Sequence, residues 1–325
     1  MIAWMERRQV PLYIAAIAAG VVVGLLLPQI ASPAAAAINP VLGLLLFVTF
    51  LGVPFGRMGE AFRDWRFLLT VVIVNFAIVP VVVFALTRMI ASDPVLLIGA
   101  LFVLLTPCVD YVIVFTGLAG GSRERLLVAA PLLMFAQMLL LPVYLWVMVG
   151  PALVDAVDLA PFVEAFVFLI VIPLVAAAVT QLLAKRTRWG RVVEGVALSA
   201  MVPLMMLTLA LVVGSQIFQI SQEAERLLLV VPVFVLFATV MVPIGALAGR
   251  VGRLDVPGRR AIVFSGATRN SLVVLPLVLA LPAELALAPL VVVTQTLVEL
   301  VAMVVFVRLI PRLVRSREPV EPTSV

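Results

Sequence analysis

Apolar stretches long enough to cross a bilayer recur along this chain about every thirty residues, and the polar positions gather in short segments between them. A helix needs roughly 20 residues, at a rise of about 1.5 Å each, to cross the hydrocarbon layer. The pattern predicts an all-α polytopic membrane protein with ten spans, at 10–28, 38–55, 67–90, 95–119, 126–150, 161–183, 194–218, 227–249, 259–281 and 285–310. Two runs are interrupted at mid-span, by Thr106-Pro107-Cys108-Val109-Asp110-Tyr111-Val112 in the fourth and by Ser265-Gly266-Ala267-Thr268-Arg269-Asn270-Ser271 in the ninth. Proline removes a helical hydrogen bond and clashes with the preceding turn. An aspartate at bilayer depth costs about 2.5–3.5 kcal/mol on insertion scales. Both interruptions predict broken helices paired around a site, with Pro107 and Gly266 as the helix breakers.

Composition narrows the class. Of 325 residues, 65% are hydrophobic and 12% charged, too little polar surface to cover a soluble core. The first span is longer than the apolar region of a cleaved signal peptide, and many spans follow it. A single cysteine excludes a disulfide framework within the chain, and the absence of histidine excludes His-based zinc sites, proton relays and catalytic triads. No phosphate-binding glycine loop or nucleotide motif is present, so we expect neither an enzyme nor a cofactor or metal, and energy from an ion or substrate gradient. The expected partners are the lipid bilayer and a small inorganic or organic anion or metalloid; no nucleic acid and no obligate protein partner is implied. The segments 1–9, 56–66, 120–125, 184–193, 250–260 and 308–325 hold 19 Lys and Arg, and the alternate loops hold 2. By the positive-inside rule this predicts a multi-pass cytoplasmic (inner) membrane protein with both termini cytoplasmic.

Internal repeats support the same plan. Ala130-Pro131-Leu132 followed by Gln137 recurs as Ala288-Pro289-Leu290 followed by Gln295, and Pro11-Leu12 recurs as Pro173-Leu174. The displacements, 158 and 162, bracket the 161 residues between Cys108 and Arg269. Five spans per repeat is an odd number, so the second copy must be inverted. That predicts one transmembrane unit with repeats over about 10–150 and 161–310, and a short disordered tail at 316–325. Inverted repeats with broken helices meeting at the midplane are a recurring plan of secondary transporters.

Three ionisable residues fall well inside the spans: Asp110, Arg269 and Glu299. Intramembrane charges default to substrate or ion binding. Asp110 and Arg269 could equally form a structural ion pair that holds two unwound helices together. Glu299 has no repeat-related cation. A low dielectric favours the neutral form of such a carboxylate, which suits a proton carrier, although a hydrogen-bonded packing role is the alternative. Cys108 follows the helix-breaking proline, where unsatisfied backbone amides favour a thiolate, and thiolates prefer soft centres such as arsenic(III). Substrate binding is accordingly assigned to Thr106, Cys108, Asp110, Arg269, Asn270 and Ser271, and ion coupling to Glu299 and Asp110. Asn75, Gln137 and Gln295 are read as supporting polar groups.

Pro107-Cys108, then Val112 and Leu118-Ala119-Gly120-Gly121, resemble the arsenical-resistance permeases of the bile acid/arsenite/riboflavin transporter superfamily. Phe264 to Asn270 and Leu297-Val298-Glu299 are similar as well. The chain departs from the permeases at Val109-Asp110, where they carry Thr-Ala. It departs again at Arg269, where they carry asparagine, and at Leu272, which replaces a glutamate. The resemblance implies ten spans in two inverted five-helix repeats, helices 4 and 9 crossing at the midplane. Spans 3–5 and 8–10 would form a core that moves against a panel of spans 1, 2, 6 and 7. It implies arsenite or antimonite efflux with Cys108 touching the metalloid and Glu299 or Asp110 handling protons. The other implied function is a bile acid symporter-like organic anion transporter in which Arg269 pairs the substrate. In sodium-coupled relatives the ninth-span break gives a glutamate and a glutamine to sodium; counted from Asn270, these positions are Ser265 and Arg269. Two unit charges ~4 Å apart repel by about 4 kcal/mol at an effective dielectric of 20, roughly a thousandfold in affinity. Sodium-independent transport is the expectation.

Overall fold

The computed structural model describes residues 5, 8–52, 64–109, 111–150, 167–279 and 281–315, and among them all regular structure is helical. Helix α1 (Gln9–Leu26) turns through Pro28–Ile30 into α2 (Ala31–Leu51). Helix α3 (Trp65–Ile90) is continuous but carries a π-helical turn at Val74–Ile78. The fourth predicted span is two helices, α4 (Pro94–Leu104) and α5 (Tyr111–Leu118), followed by α6 (Arg123–Val149). Then come α7 (Ile172–Arg186), α8 (Arg188–Ser199), α9 (Met201–Gln222) and α10 (Val231–Val251). The ninth predicted span is again two helices, α11 (Val256–Ala267) and α12 (Ser271–Leu279), and α13 (Ala288–Leu313) completes the chain. Six helical stretches among the described residues are long and apolar enough to cross a membrane. Asp110, the start of the sixth predicted span at 161–166 and the tail at 316–325 lie outside the described residues.

Two boundaries differ from expectation for local reasons. Helix α2 begins at Ala31 instead of 38, because the alanines at 34–37 favour helix while scoring low on apolarity, and Pro33 sits in the first turn where no donor is needed. The seventh span begins at Met201, since 188–199 forms a helix of its own. Thr187 caps it by accepting from Gly190 N, and Gly190 lies so close to Ala184 that a Cβ would sit 2.6 Å from the Ala184 nitrogen. Trp189, Val192 and Val196 are exposed on one face beside Arg188 and Arg191, the pattern of a helix lying in a membrane surface.

The helices pack in two groups. Helices α1, α2, α7, α8 and α9 pack chiefly on one another, and α3 to α6 with α10 to α13 form the second group; α9 passes α13 where the groups meet. Gly20 and Gly24 let α1 cross α9 closely: a Cβ on Gly24 would lie 2.5 Å from the Gly214 oxygen.

The second group is tied at both ends. Asp64 and Asp255 cap α3 and α11, and Arg125 pairs with both, at 2.9 and 2.5 Å. Arg260 donates to the carbonyls of Ala119, Pro311 and Val314, so the arginine-bearing segments around 64, 122, 255 and 315 meet at one end. At the other end Asp93 caps α4 through Val95 N and Leu96 N and pairs with Arg226 at 2.7 Å. The Arg226 guanidinium and these amides hold the Asp93 carboxyl below the ordinary carboxylate range.

Candidate functional site

Each broken helix leaves carbonyls and amides without helical partners, and no water reaches them in hydrocarbon. The two breaks satisfy one another. Asn270 N donates to Thr106 O at 2.9 Å and Cys108 N donates to Thr268 O at 3.4 Å, an antiparallel pairing centred on Pro107 and Arg269. Local chemistry makes the breaks. Pro107 lacks a donor and disfavours helix at Thr106, whose hydroxyl turns back to Phe102 O and Val103 O at 3.0 Å. Thr268 is extended (φ −117°, ψ 144°), and its hydroxyl caps Phe264 O. Asn270 then starts α12 by accepting from Val273 N at 3.2 Å, as a helix N-cap does.

Arg269 is fully buried, and its guanidinium sits in a cage of oxygens. Nη2 donates to Ser265 O (2.6 Å), Gly266 O (2.8 Å) and Asn75 Oδ1 (2.9 Å), and Nη1 to Leu104 O at 3.4 Å. The carbonyls belong to the last turns of α11 and α4, so two helix C-termini point at one cation. Each carries about −0.5 of an elementary charge, and two such ends balance a guanidinium. The Phe237 ring lies 5.3 Å from the guanidinium carbon. Asn75 is presented by the π-helical turn of α3 and is held by donating to Val71 O and Ser265 Oγ, each at 2.9 Å.

Glu299, on α13, meets the backbone of Arg269. Its Oε2 accepts from Arg269 N at 2.7 Å and from Gln295 Nε2 at 2.5 Å, and its Oε1 accepts from the Tyr111 hydroxyl at 2.7 Å. One buried carboxylate therefore joins α13, the start of α5 and the second break.

The crossing brings together Thr106, Pro107, Cys108, Arg269, Asn270, Glu299, Gln295 and Asn75, all buried. Ser271 opens α12 beside them and is also buried. Gly266 lies within α11, which continues to Ala267. Its missing side chain lets Val74 and Met241 approach, at 3.0 and 3.2 Å from where a Cβ would stand. Gln137 is buried in α6, and its amide bonds to none of the described residues. The expected Asp110–Arg269 pair lies outside the described residues, since Asp110 does. Sequence reading missed Tyr111. The signal was there: one of only three tyrosines, it is the first residue after the break, and a phenol at that depth needs an acceptor.

Residues 39–223 match the sodium bile acid symporter family, over more than half of the chain. The chain belongs to the sodium bile acid symporter family. No curated protein matches it. Members of the sodium bile acid symporter family are membrane transporters, which accords with the apolar helices and with a small-molecule substrate handled in a bilayer. The match covers the first break and stops before the second, so Arg269 and Glu299 stand on geometry alone.

Proposed function

We propose that this chain is a sodium-independent, proton-coupled secondary transporter that exports arsenite or antimonite. Its architecture in this reading is ten spans in two inverted five-helix repeats with both termini cytoplasmic. The group α3–α6 with α10–α13 is the moving core, and α1, α2 and α7–α9 form the panel. The observation that carries the reading is the oxygen cage filled by Arg269. A tethered cation stands where helix ends could hold an ion, which removes the need for sodium to balance the crossing. Glu299 is assigned to proton coupling. Its oxygens accept from three donors, so protonation would turn one accepting oxygen into a donor and loosen the tie between α5, α13 and the second break. Cys108, buried in the first break, supplies the soft ligand for a trivalent metalloid. Uptake or exchange of an organic anion paired by Arg269 is the second reading, and the guanidinium turned into the cage speaks against it.

The test is transport by reconstituted protein in liposomes, with sodium replaced by choline at fixed pH, alongside survival of an arsenite-hypersensitive host expressing wild type or Cys108→Ser. Unchanged rate in choline and loss of protection by Cys108→Ser at equal protein level are expected. A rate that falls in choline refutes sodium independence, and full protection by Cys108→Ser refutes the metalloid substrate.

A further inference from the structure

A cavity of about 520 Å³ runs between the first half of α3 and the last half of α10, and none of the predicted site residues lines it. On α3 it extends from Trp65 to Ile78, about 20 Å at the helical rise. That is somewhat more than the roughly 15 Å of hydrocarbon in one leaflet. Its apolar lining is open sideways: Leu69 is 48% exposed, Leu247 60% and Val251 74%. At the arginine-bearing end of the bundle, Arg66 and Arg253 line its mouth together with Trp65, which is 59% exposed. Neither guanidinium forms an ion pair with a carboxylate among the described residues. The Arg66 guanidinium lies over the Trp65 ring at 5.8 Å.

Arg253 is placed there by an unusual turn. Leu254 N bonds Gly249 O and Arg253 N bonds Arg250 O, both at 3.0 Å, closing α10 with the hydrogen bonds of a Schellman motif. The left-handed position of that motif normally falls to glycine, yet here it is Arg253, at φ 54°. The glycine stands one residue earlier, where a Cβ on Gly252 would meet the Thr70 hydroxyl at 2.4 Å. Close packing of α10 on α3 takes the glycine and leaves an arginine in the strained position, at the cavity mouth.

We propose that this cavity is a binding site for an anionic phospholipid, with the headgroup phosphate between Arg66 and Arg253 and an acyl chain along α3 and α10. The charges complement a phosphate, tryptophan suits the level of the headgroups, and the apolar floor is as deep as a leaflet. Basic pockets between spans recognise anionic headgroups for this reason. The floor includes Val74, the first residue of the π-helical turn that carries Asn75, so a bound chain touches the segment that holds Arg269.

The experiment is native mass spectrometry of the detergent-purified full chain, titrated with phosphatidylglycerol or with phosphatidylcholine of the same chains. Wild type should retain one phosphatidylglycerol in preference to phosphatidylcholine. The double variant Arg66→Gln, Arg253→Asn should lose about 30-fold in phosphatidylglycerol affinity, at about 1 kcal/mol per arginine near a lipid surface. Asparagine tolerates the left-handed backbone, so the turn is kept. The control Arg186→Gln, Arg188→Gln removes two exposed arginines outside the cavity and should bind like wild type. A large excess of inorganic phosphate should not displace the lipid. Equal retention of both lipids, an equal loss in the control, or displacement by phosphate would each overturn the proposal.

Discussion

Replacing Arg269 with glutamine tests whether the guanidinium is a resident cation. The substitution removes donors from Ser265 O, Gly266 O, Asn75 Oδ1 and, at longer range, Leu104 O. The two N–H donors of a glutamine amide can satisfy at most two of these acceptors. The other two, at the lower end of the cost of an unpaired buried acceptor, amount to about 2 kcal/mol. Two helix C-termini are then also left facing each other with no positive charge between them. A small cation with oxygen ligands can enter that cage, and at a hundred times its dissociation constant it would return about 2.7 kcal/mol. The assay is thermal unfolding of purified protein in detergent, in sodium chloride and in choline chloride at equal ionic strength. Wild type should unfold at the same temperature in both salts. Arg269→Gln should be markedly less stable in choline and recover most of the loss as sodium rises. A sodium response in wild type as large as in the variant would refute the argument, and so would a variant indifferent to sodium.

Glu299→Ala strands three buried donors, from Tyr111, Arg269 N and Gln295, and should cost about 3 kcal/mol at the low end of the usual penalty. Glu299→Gln should stay within about 1 kcal/mol of wild type, since Tyr111 can turn to the Arg269 carbonyl at 3.3 Å; equal unfolding of the two variants would show that charge, not acceptor geometry, matters. Asp93→Asn keeps the cap of α4 but loses the pair with the half-exposed Arg226, a solvent-screened contribution of at most about 1 kcal/mol. Because the folded Asp93 carboxyl lies below its unfolded value, that contribution is present at neutral pH and disappears as pH falls through the folded value. Wild type and Asp93→Asn should therefore converge in acid, as read by melting temperature against pH. Arg253→Gly relieves a left-handed arginine and should raise stability by about 1 kcal/mol; a lower melting temperature would show that its side chain holds the turn.

Much of the architecture is legible along the chain because it depends on neighbours in sequence. Apolar length marks the spans, and Pro107 with its preceding threonine breaks the fourth. Asn270 caps the helix after the second break, and Asp93, Asp64 and Asp255 cap the helices they precede. Sequence reading placed Arg269 and Glu299 in the membrane and could not pair them. A pair of Arg269 with Asp110 was one of two readings and lies outside the described residues; the described partners of the Arg269 side chain are an amide 194 residues away and the carbonyl ends of two helices. A helix terminus has no letter in the sequence, so its partial charge appears only once two breaks are folded against each other. The same holds for Gly266, read as a breaker but required by the approach of Val74 and Met241, and for Gly252, whose neighbour α3 sends the left-handed turn to Arg253. Hydrophobic period reports which face a residue turns inward; which atoms wait on that face is set by the crossing of elements far apart in the chain.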